Sequence, residues 1–347
     1  MRYEAGRKLL PQRLAHEVLL RLEATGETTD DRTQNAIARS APVKALVALV
    51  WPAITPAGVL HRLLSDADAL SAFADGILSS DEQATLIWPK PSRTAGSAAW
   101  SSADLPLLDE LADLLDRTPS VGHVIVDEAQ DLAPMALRAV GRRASTGSIT
   151  VLGDLAQATT PWGARDWAIA LAHLGKPDAA ITELTEGFRV PGAVIEYAAR
   201  LLPSIAPSLR APRSVRHSRG DLDLRLVADP VRALAAAAKH AAAKEGTVGV
   251  IVADPQLPAA RKALGAIPYT ELGQATTTEA FESHLDLVPS SLAKGLEFDH
   301  VVLVDPAAIM AAEPDEITTR RRLYVTLTRA VTSLVVLHDG NLPEPLL

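Results

Sequence analysis

The sequence predicts an α/β fold in which a helical N-terminal segment precedes two lobes built on parallel β-sheets, the first of them partial. Apolar residues recur near helical spacing through residues 1 to about 88. A strand, a helix and a second strand follow between residues 123 and 152, and a similar alternation recurs between residues 222 and 337. Because strand–helix–strand units join parallel strands, each alternation predicts a parallel sheet covered by helices.

Composition sets limits on the class of protein. The chain has 347 residues, of which 48% are hydrophobic, which is enough for more than one core. It contains no cysteine, which excludes disulfides and thiolate metal sites and is compatible with the cytoplasmic location that we expect. The formal net charge of −8 argues against strong nonspecific binding to nucleic acid by this chain alone. The longest apolar stretch is about twelve residues, where a membrane-spanning helix needs about twenty, so we expect no membrane association.

The domain boundaries follow from a change in composition. A proline-, serine- and glycine-rich stretch at residues 89–102 separates the helical segment from the rest. We therefore predict a helical N-terminal segment with its linker at residues 1–102, a partial first lobe at 103–180 and a second lobe at 181–347.

Individual elements follow from the same patterns. Before residue 181, we predict helices at residues 56–78, 104–115 and 134–144 and strands at 123–126 and 149–152. After it, we predict strands at residues 222–227, 248–252, 301–304 and 334–337 and a helix at 231–244. The strands before and after residue 181 belong to separate sheets in this prediction.

Acidic side chains follow both strands of the first lobe. Asp127 and Glu128 come directly after the first strand, and Asp154 follows the second, with Gln157 close behind. The carboxyl ends of parallel strands meet at one edge of a sheet, where ligands bind in folds of this type. Carboxylates at the end of a buried strand are costly unless a cation balances them, and magnesium bound to a nucleotide is a natural balance. The pattern therefore indicates chemistry of phosphoryl transfer to water.

Five segments in a fixed order extend this signal. They are VIVDEAQD at 124–131, VLGDLAQAT at 151–159, LTEGFRVP at 184–191, AKGLEFDHVVLVDP at 293–306 and RRRLYVTLTRA at 320–330. Together they resemble motifs II to VI of the UvrD/Rep class of superfamily 1 helicases. Residues 51–64 and 100–115 resemble the segment that precedes motif II in HelD-type proteins. The sequence is thus most similar to HelD-type motor ATPases, which associate with RNA polymerase.

The resemblance implies two RecA-like lobes that use ATP and Mg²⁺. By this resemblance Asp127 helps to hold the metal and Glu128 activates the hydrolytic water. Asp154 belongs to the nucleotide-binding group, and Gln157 senses the γ-phosphate.

The second lobe is expected to contribute two arginines. Arg189 lies in the string GFR, where the family has N-Y-R, and Arg329 lies at the arginine-finger position. By the resemblance, both arginines would neutralise charge on the phosphates. Gly295 and Glu297 match positions that approach the phosphate and the ribose. Glycine permits close approach of the backbone, and a carboxylate can accept a hydrogen bond from a ribose hydroxyl.

The sequence departs from the family pattern most clearly at the phosphate loop. No G-x-x-x-x-G-K-[ST] string occurs in it. Such a loop supplies backbone N–H groups, a lysine and a hydroxyl to the phosphates and metal. We therefore expect a C-terminal portion of a longer motor, without the half that carries this loop, and little ATP turnover by the chain alone. The alternative is a subunit that receives the loop from another chain.

Two further departures concern nucleic acid. Trp162 could stack on a base of single-stranded DNA. However, Thr160 and Gly163 replace a tyrosine and an arginine of the family, and Pro289 and Ser291 replace a threonine and a histidine. These changes favour work on RNA polymerase over processive strand separation, and single-stranded or duplex DNA remains a second candidate partner.

Residues 208–220 form an arginine-bearing segment with a proline and a terminal glycine, which favours a loop. Its arginines are at positions 210, 213, 216 and 219. The segment is either a solvated connector, which we favour, or a contact for a polyanion.

Three functions remain open from the sequence. The first is an ATP-driven motor of the HelD type that acts on RNA polymerase. The second is a truncated UvrD-type DNA helicase or translocase. The third is a non-enzymatic module that keeps the helicase fold and binds RNA polymerase.

Overall fold

The computed structural model describes residues 2–216, 218, 220–273 and 284–347. The chain forms two compact units, each assembled from more than one stretch of sequence. The first unit comprises Met1–Val124, Pro134–Thr150 and His173–Gly175. The second unit comprises Ile125–Ala133, Val151–Ala172 and Lys176–Leu347.

The first unit is mainly helical, as the sequence predicts. Its helices are α1 (Tyr3–Ala24), α2 (Asp31–Ala38), α3 (Ala41–Val50), α4 (Pro56–Ser65), α5 (Ala67–Ala74), α6 (Ser80–Leu86), α7 (Leu105–Leu115) and α8 (Pro134–Arg143). The helical stretch predicted at residues 56–78 contains two helices, α4 and α5, because it breaks at Asp66. Asp66 adopts an extended conformation, and its carboxylate accepts the N–H of Ala69 at 3.0 Å, which caps α5.

Ion pairs join α7 to α8 within the first unit. Arg142 contacts both Asp109 and Glu110, and Arg143 also contacts Asp109. Arg138 Nη2 lies 2.9 Å from Glu110 Oε1. The hydrogen bond from Arg143 lowers the pKa of Asp109, and that from Arg138 lowers the pKa of Glu110, in each case against the effect of burial.

A two-stranded sheet precedes the main sheet in the chain. Strand β1 (His123–Val126) has the bounds predicted from the sequence, and β2 (Ser148–Val151) begins and ends one residue earlier than predicted. The N–H of Ser148 donates to Gly122 O, and that of Leu152 donates to Val126 O, so the strands run in the same direction. Helix α9 (Trp167–His173) follows.

The second unit is built on a six-stranded sheet in which every pair of neighbouring strands is parallel. Its strand order is β5-β10-β9-β6-β8-β7. The strands are β5 (Asp221–Leu226), β6 (Val248–Val252), β7 (Thr270–Glu271), β8 (Leu285–Pro289), β9 (Phe298–Val304) and β10 (Ala330–His338). Two short strands, β3 (Glu186–Gly187) and β4 (Arg213–Ser214), pair separately. The predicted strand at residues 248–252 is confirmed, and β9 and β10 extend beyond their predicted bounds.

Helices cover the six-stranded sheet because its central strands are apolar on both faces. They are α10 (Gly192–Ala198), α11 (Leu202–Ile205), α12 (Pro230–Ala242), α13 (Leu257–Leu264), α14 (Pro306–Ala311) and α15 (Glu316–Leu327). All five residues of β6 are buried, which is typical of a central parallel strand. Leu303 packs in one cluster with α10, α11 and α15, whereas Val302 packs in the other with α12 and α13. The α/β fold class predicted from the sequence is therefore confirmed.

Two polar side chains lie in the core of the second unit. Tyr324 is buried, and burial raises the pKa of its hydroxyl. His300 lies within β9, where it hydrogen-bonds Ser333 at 2.7 Å and Glu245 O at 3.0 Å. Among the described residues, no helix is long and apolar enough to cross a membrane.

Asp286 is a half-buried carboxylate in the middle of β8. It pairs with Gly249 of β6 and Thr270 of β7, and its Oδ1 is buried without a hydrogen-bond partner in the part of the chain that the structure describes. Burial raises the pKa of Asp286 to about 6. Ionisation of this carboxylate therefore opposes folding.

We expect Asp286→Asn to stabilise the protein at neutral pH but not in acid. Below about pH 4 the carboxyl of Asp286 is protonated in the folded and in the unfolded protein, and above about pH 6 it is ionised in both. The free-energy cost of burying the ionised form therefore grows as the pH rises between these values. At pH 7.5 the substitution should raise the free energy of unfolding by on the order of 1 kcal/mol, after allowance for solvent screening. Urea unfolding at pH 4 and pH 7.5 measures the difference.

The matched control is Asp178→Asn, which changes an exposed loop carboxylate in the same way. It should give no gain that depends on pH. An equal gain from Asp286→Asn at both pH values would show that ionisation is not its cause.

Candidate functional site

The acidic pair after β1 sits in a tight backbone turn. Val126 is buried, whereas Asp127 and Glu128 are exposed. Glu128 has a φ of 51°, in the left-handed region, and its N–H donates to Asp127 Oδ1 at 2.8 Å. A left-handed non-glycine residue stores strain that the surrounding contacts must offset, and such strain is frequent at functional sites.

Gln130 joins the turn after β1 to the turn after β2. Its side chain is fully buried, its Nε2 donates to Glu128, and its Oε1 accepts the N–H of Asp154 at 3.1 Å. A Cβ at Gly153 would lie 2.2 Å from Gln130 Oε1, so glycine is required for this contact. Gln130 was not predicted from the sequence as a site residue, although its place between the acids of DEAQD was a signal.

Lys294 holds the acidic cluster from the other side. Its ammonium lies 3.1 Å from Glu128 Oε2, contacts Asp131, and donates to Gln157 O at 2.9 Å. The side chain is only 15% exposed, so these contacts form where water screens little. Lys294 lies in the segment at residues 293–306, but its contacts with the acidic cluster were not predicted from the sequence.

Gln157 connects Asp154 to Arg329. Its Nε2 donates to Asp154 Oδ2 at 2.9 Å, and its Oε1 accepts from Arg329 Nη2 at 3.1 Å. Arg329 is 3% exposed and also donates to Val325 O and Leu296 O at 2.8 and 3.3 Å. These bonds fix the position of the guanidinium.

Arg189 and Glu297 form an exposed ion pair. Arg189 Nε lies 2.8 Å from Glu297 Oε1, and the two side chains are 57% and 41% exposed. Phe188, beside Arg189, is also largely exposed. Gly295 is exposed, has a φ of 77°, and has open space where a Cβ would be, so its glycine is required by backbone conformation and not by crowding.

The ionisable groups influence one another. Burial raises the pKa of Glu128, but the hydrogen bond from Gln130 and the ammonium of Lys294 outweigh it, so the pKa is lowered. Burial lowers the pKa of Arg329, and Arg189 lowers it further, while Glu297 and Glu128 act in the opposite direction.

Trp162 is half-exposed and anchored at one edge. Its Nε1 donates to Asp131 O at 2.8 Å, and 54% of the residue remains accessible. The contact fixes the ring beside the acidic cluster and leaves apolar surface for a second partner.

A second buried arginine was not predicted. Arg321, on α15, is 4% exposed and donates to Ala158 O at 3.2 Å and to Ile205 O at 3.4 Å. It therefore fixes the backbone directly after Gln157. The triple arginine RRR gave no means of telling this residue from its neighbours.

The acids can bind magnesium only together with other ligands. The described residues contain no group of three or more histidine, cysteine, aspartate or glutamate side chains that could hold a metal ion. Mg²⁺ commonly binds to one or two carboxylates, with waters and substrate phosphates completing its shell. The exposed carboxylate of Asp127 fits that mode, whereas Glu128 is already held by Lys294 and Gln130.

The structure links the predicted site residues to different degrees. All of them lie in the second unit. Hydrogen bonds and ion pairs connect Glu128, Asp154, Gln157 and Arg329 through Gln130 and Lys294. Arg189 and Glu297 form a separate pair. Asp127 bonds within its own turn, and Gly295 contributes backbone only.

Comparison with known proteins identifies part of the chain. Residues 284–337 match the family model of the UvrD-like helicase C-terminal domain. None of the curated proteins compared with the chain matches its sequence.

Several solved helicase structures are distantly similar. The C-terminal domain of a possible DNA helicase from Lactobacillus plantarum WCFS1 has 20% identity, covers 46% of this chain and 92% of its own, and gives a TM-score of 0.34. Arterivirus nonstructural protein 10, a helicase solved with DNA, has 16% identity, covers 80% of this chain and 51% of its own, and gives a TM-score of 0.36. The PRRSV helicase has 17% identity, with coverages of 82% and 51% and a TM-score of 0.34. The match thus spans about half of each of these two viral chains.

The segment matched by the family model contains Lys294, Gly295, Glu297 and Arg329. Residues 284–337 are therefore similar to the UvrD-like helicase C-terminal domain, and this similarity supports a superfamily 1 helicase-like assignment for that part of the chain.

Proposed function

We propose that the chain is the C-terminal portion of an ATP-dependent superfamily 1 helicase-like motor that acts on complexes of RNA polymerase and nucleic acid. The observation that carries the nucleotide part is the state of Arg329, a buried guanidinium whose hydrogen-bond acceptors are all neutral oxygens. Within the described residues it forms no ion pair. A buried cation whose direct hydrogen-bond partners are all neutral favours an anionic ligand, and a phosphate is the natural one beside this acidic cluster.

The acidic residues have separate tasks in this proposal. Asp127 would hold Mg²⁺, which when bound neutralises charge on the phosphates. Because its pKa is lowered, Glu128 stays ionised at neutral pH and can orient the attacking water and accept a proton from it. Lys294 keeps Glu128 in place through their ion pair.

Gln157 and the two arginines would respond to the γ-phosphate. Gln157 Oε1 occupies one donor of Arg329, so a phosphate that approaches Arg329 competes with Gln157. Displacement of Gln157 by the phosphate would also affect Asp154, because Asp154 accepts a hydrogen bond from Nε2 of the same Gln157 side chain. Arg189 can leave Glu297 at little cost, because that ion pair is exposed to water.

Other exposed side chains could contact the nucleoside of ATP and a nucleic-acid partner. The exposed ring of Phe188 offers a stacking surface for an adenine, and Glu297 offers an acceptor to a ribose hydroxyl once it is free of Arg189. Trp162 offers its exposed face to a base of single-stranded DNA. RNA polymerase is proposed as the main partner because residues 51–64 and 100–115 resemble the HelD-specific segment.

A binding experiment tests the choice of partner. The purified chain would be mixed with RNA polymerase and, separately, with single-stranded DNA, and each complex measured by size-exclusion chromatography. Stable binding to RNA polymerase, with weak binding to DNA that Trp162→Ala abolishes, is expected. Tight DNA binding without polymerase binding would favour a UvrD-type translocase instead.

We expect the chain alone to hydrolyse ATP negligibly, because its sequence supplies no phosphate-binding loop. Phosphate release at saturating MgATP should not exceed that of Glu128→Gln, which serves as the matched background. Magnesium-dependent turnover that is lost in Glu128→Gln would contradict this expectation. The same result would also establish Glu128 as the residue that activates water.

Lys294→Met should destabilise the protein at neutral pH by about 1 kcal/mol, because it leaves two carboxylates without their cation. Because the pKa of Glu128 is lowered from its ordinary value of 4.5, the ion pair with Lys294 stabilises the folded protein above pH 4.5. This stabilisation is lost progressively as the pH falls below 4.5. Thermal unfolding at pH 7.5 and pH 4 should therefore show a smaller difference from the wild type in acid. Lys262→Met, an exposed lysine on α13, is the control. An equal loss at both pH values would argue against the ion pair as the cause.

A further inference from the structure

We propose that Arg216 is a positioning residue that sets the location of Arg189 relative to Arg329. The inference rests on the proposed function in one respect, since it takes Arg189 to be a phosphate-binding group. It assigns a role to the arginine-bearing segment at residues 208–220, which the sequence analysis left as a solvated connector or a polyanion contact.

The arginine-bearing segment forms backbone hydrogen bonds with the part of the chain that leads to Arg189. The N–H of Arg213 donates to Thr185 O at 2.7 Å, and that of Val215 donates to Gly187 O at 3.0 Å. These bonds form the pair of strands β3 and β4. The segment therefore supports the backbone up to two residues before Arg189.

Arg216 extends this support with its side chain. Its Nη1 donates to Arg189 O at 3.0 Å and also donates to Val331 O. Val331 lies in β10, two residues after Arg329. One nitrogen thus ties the backbone at Arg189 to the strand that begins beside Arg329, so that the spacing of the two arginines depends on Arg216.

The last residue of the segment, Gly220, packs closely against the same two parts of the chain. Gly220 has a φ of +70°, and a Cβ there would lie 2.3 Å from Pro191 Cβ and 2.9 Å from Thr332 O. Pro191 follows Arg189 by two residues, and Thr332 follows Val331 directly. Arg219, another arginine of the segment, lies outside the described residues.

Arg210, in the same segment, serves as a matched control for Arg216. Its side chain is 82% exposed, and its Nε lies 3.8 Å from Glu183 Oε2. It carries the same charge as Arg216 but contacts neither Arg189 nor β10 through its side chain in the described part of the chain. A loss of general positive charge is therefore separable from a loss of positioning.

The first arm of the test measures nucleotide affinity. Dissociation constants for MgATP and MgADP would be obtained by calorimetric titration of the full chain. Arg216→Ala should weaken MgATP by about 3- to 10-fold, in line with loss of one hydrogen bond to a charged donor, and leave MgADP within about 2-fold. Arg210→Ala should change neither, and Arg216→Lys, which keeps charge and donors, should restore part of the ATP affinity. Equal weakening of both nucleotides, or equal effects of Arg216→Ala and Arg210→Ala, would overturn the proposal.

The second arm does not depend on nucleotide binding, so it separates failure of this inference from failure of the proposed function. In protein labelled with ¹⁵N-arginine, the Nε–Hε signal of Arg189, assigned by its absence in Arg189→Lys, reports the ion pair with Glu297. Arg216→Ala should accelerate hydrogen exchange of this signal by about 5-fold or more, on the scale of one lost hydrogen bond, and Arg210→Ala should not. An unchanged signal in Arg216→Ala would refute positioning even if ATP binds. If Arg216→Ala does not fold, as judged by circular dichroism, Arg216→Gln makes the same comparison.

Discussion

Charge compensation in the second unit is the constraint on which the candidate site depends. The acids after β1 are compensated internally, because Lys294 contacts both Glu128 and Asp131. Arg189 is compensated by Glu297 at the surface. Arg329 is different, since it is buried and its hydrogen-bond partners are neutral. Within the described residues, Glu128 and Asp131 therefore have a cationic partner, whereas Arg329 has no direct anionic one.

The parallel sheet explains why the basic groups lie together. Strands β9 and β10 are neighbours, and Ala330 is in register with Phe298. Because the strands are parallel, the segments that enter them lie at the same edge of the sheet. One segment brings Lys294 and Glu297, and the other brings Arg329, whose carbonyl accepts the N–H of Phe298 at 3.1 Å. The positions of these side chains are thus a consequence of topology.

The sequence predicts local features of this molecule better than distant contacts. Strands 123–126 and 248–252 were predictable because short β-branched runs specify buried parallel strands. The break at Asp66 was not, because apolar spacing continues through it while a side-chain cap interrupts the helix. The ordered motifs indicated which residues to expect at the candidate site. They could not show that Lys294 reaches Asp131, a contact between residues 163 positions apart.

The arginine-bearing segment shows why residue type alone leaves function undecided. A cation in a loop can bind a polyanion, remain solvated, or satisfy backbone carbonyl groups, and only the geometry distinguishes these uses. Arg216 has two carbonyl acceptors, one at Arg189 after β3 and one in β10, whereas Arg210 has an exposed carboxylate partner. An exposed ion pair contributes little and is easily exchanged, whereas a part-buried guanidinium that bonds two segments restrains both. A ligand that draws Arg189 away from Glu297 would therefore move the side chain, while Arg216 holds the backbone of Arg189 through its hydrogen bond to Arg189 O.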